Sequence, residues 1–204
     1  GDVTDKNIVV ATNIAEAMTI APHSNGVDYW LVVRDFPADL FKVFPITSAG
    51  VGPLVSSVAC GMDDFDFTGM ARFNHAHNRL AVTMRGGFGN MGKVGLFPFN
   101  PSTGVLGTGT LVPTFAPWGL EFSCSDRLLY LSHADFAPIE QFNMLAGTPA
   151  QILASAVDVS EPVVTFDLAY APDNRIYFTW NDPQNNGAHA LGSIQDPDQT
   201  GPGC

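Results

Sequence analysis

The densest cluster of acidic side chains in the 204-residue sequence lies in the segment Asp63-Asp64-Phe65-Asp66. Carboxylate oxygens are the ligands that calcium prefers in proteins, and one ion takes about 6 to 8 oxygens. Phe65 interrupts the cluster, so successive side chains of an extended segment point to opposite sides, and the spacing of an EF-hand is absent. Asp63, Asp64 and Asp66 are therefore a candidate calcium site, and a solvated acidic loop is the alternative.

Two histidines, His75 and His77, are separated by a single residue. Side chains two positions apart lie on the same side of an extended segment. A zinc site has about four ligands, and this pair could supply half of them. The sequence shows no third ligand beside them. The alternative is a pair of turn histidines that bind no metal.

Two loops are candidates for contacts with a ligand or a partner. The glycine-rich loop 85–92 lacks the Lys-Ser/Thr pair of a phosphate-binding loop, and it joins two predicted strands instead of opening a helix. The polar loop 181–187 follows a later strand. Surface loops commonly carry binding residues, which makes these two segments the expected binding face.

The three tryptophans could stack on the apolar face of a sugar, because their rings are flat and apolar. Trp30 and Trp180 fall within or at the end of predicted strands, where packing is the better interpretation. Trp118 precedes a predicted strand and is expected to be the more exposed ring. Together with the two loops, the expected contact residues are Arg85, Phe88, Asn90, Trp118, Asn181, Asp182 and Asn185.

No set of nucleophile, acid and base is recognisable in the sequence. The G-x-S-x-G motif of a strained nucleophile turn is absent. The four glutamates, at positions 16, 121, 140 and 161, are scattered, so no carboxylate pair for glycoside cleavage can be assigned. The sequence therefore predicts no catalytic residue, no enzyme activity and no cofactor apart from calcium at the acidic cluster.

The three cysteines, Cys60, Cys124 and Cys204, form no C-x-x-C pair. Their number and spacing indicate neither a structural zinc site nor a dense disulfide framework. One disulfide with one remaining thiol and three buried thiols are the two interpretations that stay open.

The composition of the chain favours β-structure. Charged residues make up 14% of the sequence, and the chain contains 20 glycines and 15 prolines, which is typical of many strands joined by tight turns. Nine Lys and Arg against 20 Asp and Glu give a net charge of −11, which argues against nucleic acid or an anionic lipid surface as the partner. No apolar run approaches the about 20 residues of a membrane helix.

A repeat runs through the chain. Each copy has a short apolar strand, a polar turn, an arginine and a strongly β-prone strand, and Arg79, Arg127 and Arg175 are spaced by 48 residues both times. An earlier copy has Asp28 at the corresponding place. Each full copy then continues with an aromatic third strand, a turn and a fourth strand.

Units of four strands at this period are typical of β-propeller blades, each of which covers its apolar face with the next blade. We therefore predict an all-β, propeller-like single domain or fragment with four four-stranded repeats of about 48 residues, at approximately 12–60, 66–114, 117–158 and 164–204. The four repeats could also be an arc of a larger ring. A β-sandwich is the alternative, but it does not account for the period.

Five segments in register carry a resemblance to a known group of proteins. They are Gly1–Asn7, His23–Val32, Pro117–Ser123, Ala171–Tyr177 and Leu191–Pro197, followed by Gly203-Cys204. The chain resembles, over essentially its whole length, the propeller region of large Bacteroidetes secreted and cell-surface proteins that carry a type IX secretion sorting domain or a gliding-motility-associated C-terminus. It departs from that group at Cys60 and Cys124.

This resemblance implies a non-catalytic extracellular module of a large exported surface protein, which serves as a structural scaffold, as the assembly subunit of a surface appendage or as an adhesin. Its expected partners are neighbouring domains or copies of the same protein, or cell-surface glycans, with no nucleic acid and no membrane insertion. The alternatives are a lectin-like propeller that binds carbohydrate or protein and, as a minor one, a propeller hydrolase or lactonase.

Overall fold

The computed structural model describes residues 8–61, 68–85, 91–182 and 187–204. These residues form four antiparallel β-sheets that follow one another along the chain, and we call them blades A, B, C and D. Within each blade, most strands pair with the next strand along the chain, which is the simplest way to build an antiparallel sheet. The part of the chain that the structure describes contains no helix with the length and hydropathy of a membrane span.

Blades A and B each contain five strands, and one strand of each blade is only two residues long. Blade A consists of β1 (Ile14–Pro22), β2 (Tyr29–Asp35), β3 (Leu40–Thr47), β4 (Gly50–Val51) and β5 (Ser56–Ala59). Blade B consists of β6 (Ala71–Phe73), β7 (Arg79–Met84), β8 (Met91–Asn100), β9 (Val105–Leu106) and β10 (Thr110–Phe115).

Blades C and D are smaller. Blade C consists of β11 (Pro117–Phe122), β12 (Leu128–His133), β13 (Glu140–Asn143), helix α1 (Pro149–Leu153) and β14 (Val157–Asp158). Blade D consists of β15 (Thr165–Tyr170), β16 (Ile176–Asp182) and β17 (Ala188–Ile194).

The all-β prediction is confirmed, but the prediction of four four-stranded units is not. The described residues give sheets of five, five, four and three strands, and these sheets do not close on themselves. In blade C, the segment expected to form the fourth strand begins instead as α1, because Thr148 and Gln151 form a capping box. Pro149 stands at the start of this helix, where its fixed φ is favourable and its missing N–H is not needed.

The turn between the first and second strands recurs in every blade. Each turn contains one residue with positive φ, a conformation that glycine, asparagine and aspartate adopt most readily. The backbone bond that closes the turn ends at Arg79 in blade B and at Leu128 in blade C, so Leu128 and not Arg127 is the counterpart of Arg79. The positive-φ residues of the four turns are Gly26, His77, Asp126 and Asn174.

The apolar core lies between the blades. One cluster joins blades A and B and includes Trp30, Phe41 and Phe97. A second cluster joins blades B and C, and a third joins blades C and D. Strand β12 is buried along its whole length because Leu129 and Leu131 enter the second cluster while Leu128 and Tyr130 enter the third.

The first strands of the blades lie side by side. Strand β1 contacts β6, β6 contacts β11, and β11 contacts β15. We call this series of strands the inner row. At Gly119 the approach of β11 to β15 is so close that a Cβ atom would lie 2.6 Å from the carbonyl oxygen of Phe166, so only glycine is accommodated there.

Buried hydroxyl groups connect neighbouring blades of the inner row. The hydroxyl of Thr83 accepts a hydrogen bond from the Met70 amide (3.1 Å) and donates one to the Trp118 carbonyl. One blade further on, the Ser132 hydroxyl accepts from the Gly119 amide (2.9 Å) and donates to the Phe166 carbonyl. Each hydroxyl therefore satisfies two backbone groups that would otherwise be unpaired.

We predict that Thr83→Val lowers the free energy of unfolding by about 1–3 kcal/mol, because the shape is kept while a buried amide and a buried carbonyl lose their partner. Thr179→Val is the matched control, since Thr179 is exposed on blade D, and it should change stability by less than about 0.5 kcal/mol. Urea unfolding followed by tryptophan fluorescence measures both. Equal effects of the two substitutions would contradict the role of the Thr83 hydroxyl.

Candidate functional site

Three charged side chains from three different blades meet on the inner row. Arg72 lies on β6, Glu121 on β11 and Asp167 on β15. The Arg72 Nε atom is 3.5 Å from Glu121 Oε2, and Arg72 Nη2 is 3.5 Å from Asp167 Oδ1. Arg72 Nη2 also donates to the carbonyl oxygen of Leu168 at 3.3 Å. The guanidinium thus bridges two carboxylates that the sequence places 46 residues apart.

Glu121 is the buried member of this group. Its carboxylate accepts hydrogen bonds from the Phe122 amide (3.0 Å) and the Tyr170 amide (3.2 Å). Burial raises the pKa of Glu121, and the positive charge of Arg72 and the two amides oppose that rise without cancelling it. These contacts fix the carboxylate, and through the ion pair they orient the Arg72 guanidinium.

Asp167 is the accessible member, with 52% of its side chain exposed, compared with 12% for Glu121. An exposed carboxylate beside a guanidinium can accept a proton from a bound water while the cation stabilises negative charge on a neighbouring oxygen. In this arrangement Asp167 can act as a base and Arg72 can stabilise negative charge, within reach of solvent. The buried Glu121 carboxylate is fixed by its own contacts and holds Arg72 in place.

The two candidate metal ligands lie close to this group in the turn that follows β6. The Nδ1 atom of His75 is 3.0 Å from Asp126 Oδ1, and the His75 ring meets the Tyr170 ring edge-on at 5.2 Å. Asp126 also accepts hydrogen bonds from the backbone amides of His75 (2.7 Å) and Ala76 (2.8 Å). Asp126 thus joins the turns of blades B and C, and His75 is held in that junction.

His77 is the positive-φ residue of its turn, and burial lowers the pKa of its imidazole. Among residues 8–61, 68–85, 91–182 and 187–204, no group of three or more His, Cys, Asp or Glu side chains is arranged to hold a metal ion. The zinc interpretation of His75 and His77 therefore gains no third ligand from the fold. Asp63, Asp64 and Asp66, the candidate calcium ligands, lie outside the described residues.

A row of aromatic rings lies near the start of the inner strands. The Trp118 ring packs edge-to-face against Phe166, with centroids 6.3 Å apart, and Phe166 meets His189 at 6.0 Å. The Arg85 guanidinium lies 5.5 Å from the centroid of Trp118, which is a cation–π distance. We call these four residues the aromatic row. Beside it is an open recess lined by Glu16, Gly69, Met70, Arg85, Pro117 and Trp118.

Two of the predicted contact residues, Arg85 and Trp118, are therefore in direct contact. Asn181 is paired in register with His189, which places it at the same end of the structure, and Asp182 ends strand β16. Trp30 is packed in the core, where its Nε1 donates to the Pro101 carbonyl at 2.8 Å. The remaining predicted contact residues, Phe88, Asn90 and Asn185, lie outside the described part of the chain.

The three cysteines are free thiols in the structure. Cys60 is buried between blades A and B, and burial raises its pKa to about 12, so it behaves as a small apolar side chain. Cys124 is exposed and Cys204 is partly buried.

Sequence analysis did not single out Arg72, Asp167, Phe166 or His189 for a site. One signal was available, because Arg72 and Glu121 both lie two residues before the first residue of the equivalent turns, Asn74 and Ser123. Opposite charges at the same position of adjacent repeats indicate side chains that meet across a blade boundary. Asp167 offers no such signal, because it lies four residues before Ala171, the first residue of its turn, and not two.

Solved structures with a similar fold were found, and the sequence itself matches no protein-family model and no curated protein. The chain is similar to a protein of Bacteroides fragilis provisionally named a 6-phosphogluconolactonase, with a TM-score of 0.52 and 14% identity over 86% of this chain and 70% of that one. A second protein with the same provisional name, from Bacteroides uniformis, gives a TM-score of 0.57 and 14% identity over 87% of this chain and 53% of that one.

A third similar structure is a protein of Lactobacillus plantarum, with a TM-score of 0.52 and 12% identity, over 91% of this chain and 56% of that one. The chain has a propeller-like fold. It spans about half the length of two of these three proteins and 70% of the first. At these identities the similarity shows the fold.

The prediction of a non-catalytic scaffold, appendage subunit or adhesin was wrong, and so was the prediction that the chain is not an enzyme. Two of these three neighbours are proteins provisionally named as lactonases, which directs attention to the minor alternative of a hydrolase or lactonase. The sequence shows no nucleophile motif, and the charged group on the inner row is assembled only by the fold.

The raised pKa of Glu121 predicts a pH dependence of stability. The folded protein holds the Glu121 proton to a higher pH than the unfolded chain does. As the pH rises from the pKa of Glu121 in the unfolded chain to its pKa in the folded protein, the contribution of Glu121 to the free energy of unfolding is lost. Relative to Glu121→Gln, the wild type should therefore be more stable at about pH 4 than at about pH 7.

Urea unfolding at a series of pH values measures this difference. Glu161→Gln, at an exposed position, is the control for removing one surface carboxyl group. If the wild type instead gained stability relative to Glu121→Gln as the pH rose, the assigned direction of the Glu121 pKa shift would be wrong.

Proposed function

We propose that this chain is a propeller-type hydrolase that opens a lactone at the group formed by Arg72, Glu121 and Asp167. The observation that carries the proposal is the position of Asp167, an exposed carboxylate 3.5 Å from a guanidinium that a buried glutamate holds in place. The likeness in fold to two proteins provisionally named as lactonases supports the choice of reaction class.

Lactone hydrolysis needs a base for the attacking water and a cation for the oxygen of the ester carbonyl. Asp167 takes a proton from water as the water oxygen bonds to the carbonyl carbon. Arg72 stabilises the negative charge that develops on the carbonyl oxygen. When the intermediate collapses, the ring C–O bond breaks, and the proton held by Asp167 passes to the departing alkoxide, which gives a hydroxy acid.

Glu121 has a positioning role in this scheme. Two backbone amides and the ion pair with Arg72 occupy its carboxylate, and it is largely buried. It keeps the guanidinium in one orientation between β11 and β15, so that the charge is in place before substrate arrives. Trp118 and Phe166 of the aromatic row lie on the inner strands β11 and β15, and they offer apolar surface for the carbon skeleton of a ring-shaped substrate.

The proposal is tested by following proton release from a panel of five- and six-membered lactones, because each turnover produces one carboxylic acid. Asp167→Asn should lower kcat about 100-fold or more, since removal of a general base typically costs 10²–10⁴ in rate. Asp158→Asn is the matched control, because Asp158 is an exposed carboxylate on β14 of blade C, and its activity should equal that of the wild type.

Glu121→Gln distinguishes positioning from direct participation. It keeps the shape of the side chain but removes one of its two hydrogen-bond acceptors and the charge that orients Arg72, so kcat should fall less than in Asp167→Asn. A wild-type chain without activity on the whole panel, or full activity in Asp167→Asn, would contradict the proposal.

A further inference from the structure

The open recess beside the aromatic row lies where blades A, B and C meet, and the proposed bond-breaking step does not use it. Its volume is about 230 Å³. Pockets for drug-sized ligands occupy about 300–1,000 Å³, so the recess has room for a single ring. All three blades contribute to its lining, with Glu16 on β1, Gly69 and Met70 before β6, Arg85 after β7, and Pro117 and Trp118 on β11.

The recess lies on the same side of the inner strands as the charged group. Met70 and Arg72 are two residues apart, and alternate residues of an extended segment share a side. Trp118 and Glu121 are three residues apart, but β11 contains one extra residue between 117 and 120, so these two side chains also share a side. At a rise of about 3.3 Å per residue, the recess lies roughly 6–10 Å from the charged group along these strands.

The floor of the recess is apolar and fixed in position. The Trp118 ring packs edge-to-face against Phe166, and the Trp118 carbonyl accepts the hydrogen bond from the Thr83 hydroxyl. The Met70 amide donates to the same hydroxyl at 3.1 Å. A flat aromatic ring that is held in this way offers an apolar surface, which is complementary to the C–H face of a sugar ring.

Two opposite charges border this apolar floor. Glu16 is exposed on β1, and the Arg85 guanidinium lies 5.5 Å from the centroid of the Trp118 ring. A carboxylate can only accept hydrogen bonds, whereas a guanidinium can only donate them. A hydroxyl group does both. Hydroxyl groups at the edge of a bound ring can therefore donate to Glu16 and accept from Arg85.

These features favour a neutral hydroxylated ring over other substituents. A hydrocarbon group would remove water from Glu16 and Arg85 without replacing their hydrogen bonds. An anionic group would be repelled by Glu16 and by the net charge of −11. A cationic group would be repelled by Arg85, which already lies at a cation–π distance from Trp118. A sugar ring has an apolar face for the indole and hydroxyl groups for both charges.

We propose that the substrate is a lactone that carries a second, neutral sugar ring, and that this ring occupies the recess while the lactone carbonyl lies at Arg72 and Asp167. This substrate assignment rests on the proposed function, because a single substrate has to span the recess and the charged group. The separation of the two along the strands suits two linked rings. The recess thus determines specificity and takes no part in the bond-breaking step.

Hydrolysis of three lactones by the 204-residue chain tests the assignment. They are glucono-δ-lactone, the same lactone with a glucosyl group and the same lactone with a glucuronosyl group. Proton release is followed after subtraction of the uncatalysed rate. The glucosyl lactone should have a kcat/KM at least about 10-fold above that of the unsubstituted lactone, mainly through a lower KM, because stacking and hydrogen bonds in the recess add binding. The glucuronosyl lactone should gain no such advantage.

Glu16→Lys separates recognition from a merely structural role. It makes the border of the recess positive on both sides, so the glucuronosyl lactone should become a better substrate than the glucosyl lactone. Glu16 lies between the buried Ala15 and Ala17, and its own side chain is exposed, so the substitution leaves the core intact. Glu161→Lys, at another exposed glutamate, is the matched control and should keep the order of the wild type.

Binding of methyl glucoside, which contains no lactone, is measured by saturation-transfer NMR as a readout that is independent of hydrolysis. The glycoside should bind to the wild type and to Glu161→Lys, and about 5-fold or more weakly to Glu16→Ala, which lacks the acceptor at the border of the recess. Circular dichroism establishes that each variant is folded.

The two measurements distinguish failure of the substrate assignment from failure of the proposed function. If the three lactones are hydrolysed at equal rates, or if the wild type prefers the glucuronosyl lactone, the assignment is wrong while the reaction stands. Absence of methyl glucoside binding also overturns the assignment. If methyl glucoside binds in a way that depends on Glu16 and no lactone is hydrolysed, the proposed reaction is wrong, and the recess is a sugar site without a role in lactone hydrolysis.

Discussion

Burial of sheet faces between neighbouring blades is the interaction on which the rest of this structure depends. A single small antiparallel sheet cannot remove enough apolar surface from water to fold alone, so each blade is stable only against the next. Blade C shows the consequence most clearly, because β12 contributes to the cores on both of its sides and is buried from end to end. The positions of the side chains in the candidate site follow from this stacking, since it fixes the spacing of the inner strands.

The candidate site illustrates how stacking converts distant residues into a group. Arg72, Glu121 and Asp167 come from three blades, and none of them has a charged partner within its own sheet in the contacts described above. The close packing at Gly119 and the hydroxyl bridges of Thr83 and Ser132 hold the three inner strands at the required distance. A change in blade packing therefore alters the ion pairs directly, even when it lies far from them in sequence.

The sequence predicted the all-β class and the repeated strand and turn pattern, because these follow from local composition and period. Its errors have identifiable causes. The arginines are spaced by 48 residues, but the backbone hydrogen bonds that close the turns align Arg79 with Leu128. The arginine spacing therefore differs by one residue from the spacing of the turns in blades B and C. The capping box at Thr148 replaced the start of a strand with a helix. The repeat gave a signal only for the Arg72–Glu121 pair, and the complete charged group was not predictable because Asp167 joins it only when three blades meet.

The contacts of β15 have a further consequence, for the behaviour of the chain in concentrated solution. Arg72 donates to the Leu168 carbonyl, and Glu121 accepts from the Tyr170 amide, so the two side chains occupy backbone groups two residues apart on the same strand. An unoccupied strand edge would be a template for pairing with another polypeptide. The ion pair thus takes the place of a neighbouring strand. Small neutral residues in place of Arg72 and Glu121 would leave these two backbone groups on the edge of β15 without their side-chain partners, which favours association between chains.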